Sequence, residues 1–338
     1  MNNVNGFMLI DAPASALNNA GPDIGAKTEN TIAVKKIRRG KGEYVYVSGQ
    51  AFRFWMRSSL ENVFGWELSP IEREAKIAFT AADPFKYPDD DVFGYMRAIG
   101  KKSGITLTRI SPFKCSPLIS VTPVNIVNDF GVMARHEGDP VPYEHEFYST
   151  VLKGIFSLDL DSVGRFSSEN KTGYMNITEA YKKEWEEYNC FVEEHGKIVT
   201  LPLEVRAKRA SDLIGVLPYI FGGAKQTSHL TDVSPKFLVL AILNCGNNIF
   251  MNIAVDDKGE AAINVKALKE VIVDYRENII SDVYIGKREG FMDEYNEDLK
   301  RMVNELNDTL LKNIKVHLLT VNEAVSKFQQ VVSGFYKR

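Results

Sequence analysis

The sequence predicts an α+β domain in which helices cover a sheet in two layers, with long insertions at two connections. Three observations predict it. Apolar runs of strand length alternate with helix-like stretches towards both ends of the chain. Prolines at 84, 88, 112, 117, 123, 140 and 142 break the middle into short pieces, together with glycines at 94, 100, 104, 131 and 138. The 338 residues are 44% hydrophobic and 25% charged, enough to bury a sizeable core, and no apolar run has bilayer length.

The elements follow in order. VNGFMLIDAP, from residue 4, reads as a strand that stops at Asp11-Ala-Pro. Residues 13–25 are small, polar and turn-rich. Segments 31–37 and 43–47 read as strands of a hairpin, joined by the basic turn Arg38-Arg39-Gly40-Lys41-Gly42. Ser48 has the chemistry of a helix N-cap. Phe52, Trp55, Met56 and Leu60 then recur at three- and four-residue spacing, up to Gly65. Residues 68–82 are expected to hold another helix. Residues 83–143 read as an inserted subdomain of short strands and loops. EFYSTVLKGIFSLDL, 146–160, resumes a strand, with Gly154 expected at a bulge. A second insertion, 161–203, opens with a loop and continues with a charged helix over 178–194. A helix is expected over 203–221, then a near-continuous apolar strand over 236–243 with a partner at 248–255. Residues 264–275 read as helix and strand or as one helix. Helices over 291–311 and 321–336 close the chain.

Composition narrows the chemistry. The chain begins without a basic region followed by a long apolar one, which predicts a cytoplasmic protein. Cys115, Cys190 and Cys245 are too few and too scattered for a disulfide framework or a zinc pair, and the five histidines lack metal-site spacing. Net charge is −3, yet the cations cluster. Lys27, Lys35, Lys36, Arg38, Arg39 and Lys41 form one stretch; Arg97, Lys101, Lys102, Arg109 and Lys114 a second; Arg206, Lys208 and Arg209 a third. An acidic total can therefore hide a basic groove.

YIFGGAKQTSH, 219–229, lacks both GxxxxGK[ST] and GxGxxG, so no nucleotide cofactor is expected. It reads as a helix stop, or as a flexible loop whose amides and Lys225 touch a phosphate chain. Asp89-Asp90-Asp91 could hold magnesium or form a solvated loop. Arg135-His136-Glu137 is a weak acid-base candidate, and GxSxG is absent. What remains is RNA binding. Tyr44, Tyr46, Phe52 and Arg53 interleave aromatics with charge, and the helix after Ser48 offers amides, Arg53 and Arg57 to an anion. Residues 161–203 could form a projecting arm offering Val163, Phe166, Tyr174 and Met175 as wedges.

YVSGQAFRFWMRSSLE (46–61), Val163-Gly-Arg-Phe166 and Ile220-Phe-Gly-Gly-Ala-Lys225 together resemble the backbone subunit of the CRISPR surveillance complex Cascade, in its DevR-like branch. The likeness runs over roughly residues 1–280. The resemblance implies a modified RNA-recognition-motif (ferredoxin-like) palm over 1–64, 146–160 and 204–338. It implies a finger-like insertion at 65–145 and a thumb-like one at 161–203. It implies a non-enzymatic subunit of a type I complex that polymerises head to tail along CRISPR RNA and leaves the bases free to pair with target DNA. Other Cascade subunits and a recruited helicase-nuclease would be its partners, with no cofactor and no membrane. The family's basic helix surface maps onto Ser48, Gln50, Arg53 and Arg57, and its preceding cations, less closely, onto Lys27, Lys35, Lys36 and Arg38. Arg109, Lys114, Val163, Arg165 and Phe166 join them from the insertions. The palm loop maps onto Gly222, Gly223 and Lys225. RNA-cleaving relatives use a finger-loop aspartate, which leaves Asp89–Asp91 open as a ribonuclease alternative. A structural subunit without RNA is the other.

Overall fold

The computed structural model describes residues 1–22, 31–74, 77–99, 105–135, 137–171 and 173–337. The chain opens with β1 (Asn3–Ser15), whose side chains alternate between two cores: Val4, Met8, Ile10 and Ala12 face one, Phe7 and Leu9 the other. The short strands β2 (Asn19–Pro22) and β3 (Thr31–Val34) pair with each other. The predicted basic hairpin is present as β4 (Lys36–Arg39) and β5 (Gly42–Val47), turning on Gly40 and Lys41, with Gly40 at φ 61°. Helix α1 (Gly49–Phe64) follows, capped by Ser48 and ended by Gly65 in the left-handed region.

The first insertion departs from expectation at its start. Residues 68–82 form no helix but a solvent-washed ribbon, β6 (Ile71–Glu74) with β7 (Ile77–Thr80). The ribbon strands contribute nothing to either main core, so no helical stripe is selected. Helix α2 (Pro88–Phe93) carries the three aspartates. A second ribbon, β8 (Tyr95–Ile99) with β9 (Ile105–Arg109), leads to β10 (Phe113–Cys115) and β11 (Leu118–Ser120). Strand β12 (Val127–Met133) pairs with the first part of β13 (Val141–Asp159). Gly154 lies in unbroken register with Met8 and marks no bulge; a Cβ there would meet the Leu118 side chain.

The second insertion is compact. Strands β14 (Arg165–Ser167), β15 (Phe191–Glu193) and β16 (Ile198–Thr200) form a small sheet, and the expected long helix shrinks to α3 (Lys182–Glu187) after a 3₁₀ turn. Helix α4 (Leu203–Gly215) gives way to a 3₁₀ turn at Leu217–Tyr219, where Pro218 sits, and short α5 (Gln226–His229) follows. All seven residues of β17 (Phe237–Leu243) are buried. Its expected partner at 248–255 instead ends in the hairpin β18 (Ala254–Asp257) and β19 (Glu260–Ile263). Helix α6 (Val265–Asp274), β20 (Val283–Lys287), α7 (Asn296–Glu305), β21 (Val316–Leu319) and α8 (Val321–Phe335) complete the chain.

The main sheet runs β21-β20-β17-β1-β13-β11-β5-β4, mostly antiparallel, with β20 and β21 parallel. Strand β1, the first in the chain, is central to the sheet, with β13 on one side and β17 on the other. Helices α1, α4 and α8 cover one face, and α6 and α7 cover the other. The molecule has three layers where two were expected. The apolar run of β17 already carries the reason, because a strand buried on both faces needs helices on both. No helix among the described residues is long and apolar enough to cross a membrane.

Candidate nucleic-acid interface

The candidate interface begins at the start of α1. The Ser48 hydroxyl accepts the Ala51 N–H at 3.3 Å and so serves the cap; the Ser48 N–H donates to Asn18 Oδ1 at 2.9 Å. Gly49, exposed Gln50, Arg53 and Arg57 then line an open groove of about 570 Å³, whose other wall is Cys115 and Pro117. Three of the residues expected on the helix surface are thus brought together. Arg53 donates to the carbonyls of Phe113 (3.3 Å) and Phe93, and Arg57 lies over the Phe93 ring at 4.3 Å and 3.8 Å from Asp89. Burial pulls both guanidinium pKa values below their usual range, and Arg53 lowers Arg57 further while Asp89 and Asp90 oppose. Arginine stays charged regardless. Two half-desolvated like charges therefore face one groove, where an anion would relieve both. Burial also pushes the Cys115 thiol up to about 11, so it stands in the groove as a neutral wall.

Strand β10 divides this groove from a smaller hollow of about 330 Å³, because adjacent residues on a strand face opposite sides. Exposed Lys114 lines the hollow with Arg165 and Tyr174, and Arg165 pairs with Glu193 at 3.2 Å. Arg109 and Phe166 form its floor, and here the sequence reading needs correction. Arg109 is buried and bound to the Asp91 carboxylate and to the carbonyls of Asp91 (2.7 Å), Ser162 (2.8 Å) and Arg165 (3.0 Å). Its charge is committed inside the protein. Val163 and Phe166 are fully buried too. Phe166 packs edge-on against Phe85 with centroids 4.9 Å apart, in an apolar centre shared with Ile177, Trp185, Val199 and Leu201. Residues 161–203 are thus a packed unit rather than an arm of wedges, and of the four wedge candidates only Tyr174 is exposed.

The loop at 220–225 is neither a helix stop nor loose. Helix α4 has ended before it. Gly222, at φ 148°, lies so close to Trp55 of α1 that a Cβ would fall within the indole; Gly223, at φ 100°, lies against Leu17. The glycines bring backbone against helix, and the Ala224 N–H fixes the loop by donating to Leu17 O at 2.9 Å. Lys225 is half-buried beside His145, whose pKa is lowered by burial, then by Lys225 and His229, against Asp129 at 3.5 Å.

The hairpin cations are less available than their number suggests. Lys36 pairs with Glu43 (3.4 Å) and Glu146 (3.2 Å), and Arg38 pairs with Glu43 (3.1 Å). Lys35 is half-buried, and Lys27 lies outside the described residues. The two arginines of the third basic stretch also turn inward, while Lys208 is exposed and pairs with Asp212 at 2.7 Å. Arg206 donates to the carbonyls of Val163 (2.7 Å), Asp161 (2.9 Å) and Leu160 (3.3 Å), and Arg209 to those of Pro84 and Phe85.

The aspartates of α2 are buried and diverge. Asp91 binds Arg109, Arg209 (2.8 Å) and the Gly164 N–H (3.0 and 3.1 Å), so one carboxylate joins both insertions to α4. Asp89 accepts the Ser69 N–H at 2.9 Å, and Asp90 the Asp83 N–H at 2.9 Å. Burial pushes the Asp90 carboxyl up to about 6. Magnesium needs gathered oxygens, and no group of three metal-ligating side chains occurs among the described residues. The reading of this run as a solvated loop is replaced by a structural one, because all three carboxylates are buried and hold separate partners. Sequence reasoning missed this junction and the Cys115–Pro117 wall, because both depend on contacts distant along the chain.

The chain resembles a subunit of a solved "CRISPR RNA-guided surveillance complex, pre-nicking", with 10% identity and a TM-score of 0.56 over 98% of this chain and 100% of that one. A second solved "CRISPR RNA-guided surveillance complex" chain matches with 11% identity and a TM-score of 0.53, covering 97% of this chain and 99% of that one. At such identity the likeness shows the fold alone. No curated protein sequence matches. The family model described as "CRISPR-associated negative auto-regulator DevR/Csa2" matches residues 10–262, about three quarters of the chain, and to that family the protein belongs.

Proposed function

We propose that the protein is the CRISPR RNA-binding backbone subunit of a type I Cascade complex. The observation that carries this reading is the groove in which Gln50, Arg53 and Arg57 converge beside β10, with Lys114 on the strand's other side. Guanidinium groups and the first amides of α1 hold successive phosphates, and contacts of this kind carry no sequence information. The bases stay free to pair with target DNA. Copies repeat head to tail along the guide, so that many modest contacts act together and a subunit of net charge −3 still retains RNA. Gly222, Gly223 and Lys225 supply a further contact, and Tyr174 is the exposed ring available for stacking. Other Cascade subunits complete the particle, and cleavage falls to a recruited helicase-nuclease. The internal commitments of Asp89, Asp90 and Asp91 favour this reading over a ribonuclease.

Purification with the products of neighbouring genes, followed by extraction of nucleic acid, tests it. A discrete RNA of repeat-plus-spacer length in a particle holding several copies of the chain is expected. A nucleic-acid-free monomer from the same preparation overturns it.

A further inference from the structure

The segment after residue 262 lies outside the stretch that matches the family, and it carries a surface of its own. There β20, α7 and β21 form a strand-helix-strand unit, and β21 is the last strand of the main sheet. A groove of about 580 Å³ opens between α7 and the end of β21. Its floor is Val303, Leu318 and Leu319, and its rim carries Lys287, Arg288 and Lys300 against the single acid Glu289.

The edge of β21 is open at one place. The Val283 N–H donates to Lys315 O at 2.8 Å, and the parallel register sets Val283 beside Val316 and Ile285 beside Leu318. In such a ladder alternate residues face the partner strand. Residues 315, 317 and 319 therefore bond to β20, and Val316 and Leu318 turn outward. Val316 is already satisfied by Asn307, whose side-chain amide accepts its N–H at 2.8 Å and donates to its carbonyl at 2.9 Å, much as a neighbouring strand would. The outward N–H and C=O of Leu318 have no such partner among the described residues. The rim cations differ in availability. Lys287 is buried and bound to Asp293. Lys300 makes only an exposed pair with Glu297 three residues before it, which is easily exchanged. Arg288 makes no ion pair among the described residues.

We propose that this groove docks an extended, acidic peptide segment of a partner protein, which adds a strand to the sheet at Leu318. Backbone bonds to Leu318 set the register, an apolar side chain of the segment covers the Leu318 side chain and Val303, and an acidic one reaches Arg288 and Lys300. This mode of recognition takes affinity from the strand edge and specificity from alternate side chains. Arg288, which makes no ion pair among the described residues, and Lys300, whose pair is exposed and exchangeable, favour an acidic segment over a basic one.

Fluorescence anisotropy on the full-length chain tests this with a labelled octapeptide of alternating Glu and Val and its Lys-Val counterpart. The acidic peptide is expected to bind the wild type at least about tenfold more tightly than the basic one. Leu318→Pro removes the outward N–H, a change that edge strands tolerate, together with the leucine side chain of the floor, and it is expected to weaken binding at least about tenfold. Arg288→Glu, which leaves the strand untouched, is expected to do the same. Equal binding of both peptides, or unchanged binding in Arg288→Glu, overturns the proposal. Displacement of the peptide by inorganic phosphate as readily as by unlabelled peptide assigns the groove to small anions instead. A concentration-dependent dimer of the wild type that Leu318→Pro abolishes makes the occupant a second copy, and also overturns it.

Discussion

At the scale of single residues, cations of equal charge hold unequal places. Lys114 is exposed and makes no side-chain bond among the described residues, whereas Arg53 holds two carbonyls and Arg57 an aspartate. Lys114→Ala is therefore expected to weaken RNA retention without moving the unfolding midpoint. Paired alanines at Arg53 and Arg57 should lower both. In either case the slope of log K against log salt should flatten by about 0.7 for each phosphate no longer held, alike for every RNA sequence. Salt-titrated filter binding beside urea unfolding separates the two patterns. Asp90 makes a pH-dependent statement. Its carboxyl lies at about 6 in the folded chain against 3.8 for an unperturbed aspartate, so the folded state binds the proton more tightly. Its contribution is most favourable below pH 4, declines between 4 and 6, and is at its least above 6. Asp90→Asn should exceed the wild type in stability by about 1–3 kcal/mol above that window and lose the advantage below it. Urea midpoints across pH check the sign.

Elements were legible where local chemistry decided them. Ser48, the Phe52-Trp55-Met56-Leu60 stripe and Gly65 specify α1 within their own short stretch of chain, and the structure returns that helix. The basic hairpin and α8 were legible for the same reason. The ribbon of β6 and β7 was not, since an exposed segment carries no apolar period to read. Neither was the role of Gly222, which follows from an indole far earlier in the chain. Gly222→Ala is expected to force the loop off α1, with a loss of about 1–3 kcal/mol from the positive φ and the displaced ring. A shifted tryptophan fluorescence maximum accompanying the lower midpoint would identify Trp55 as the residue disturbed.

The whole molecule depends on contacts that no local pattern announces. Arg109 and Arg209 read as available cations in sequence, and in the fold they converge on Asp91, one from β9 and the other from α4. Asp91→Ala leaves two buried guanidinium groups without their counter-charge and is expected to cost about 3–5 kcal/mol. Limited proteolysis should then cut within 161–203 before it cuts the central sheet. Of the candidate site, the helix-borne residues were legible because they share one surface period. Val163, Phe166 and Arg109 were misplaced because burial is a property of the assembled core and not of residue type. The third layer of the fold could be inferred from β17 alone, once its seven buried residues are read as two faces.

The position of β1 also sets an order of events during synthesis. Its two neighbours are separated by a long stretch of chain: β13 ends at Asp159, and β17 begins only at Phe237. On the ribosome, at roughly 5–20 residues per second, Phe7 and Leu9 stay uncovered on an open strand edge for at least about ten seconds. Closure of the sheet is thus a late, long-range event, slow by its topology and exposed to mispairing meanwhile. A fragment ending before β17 should be recovered as aggregate or bound to chaperone. Molecules with a closed sheet should arise only after the last strands leave the exit tunnel.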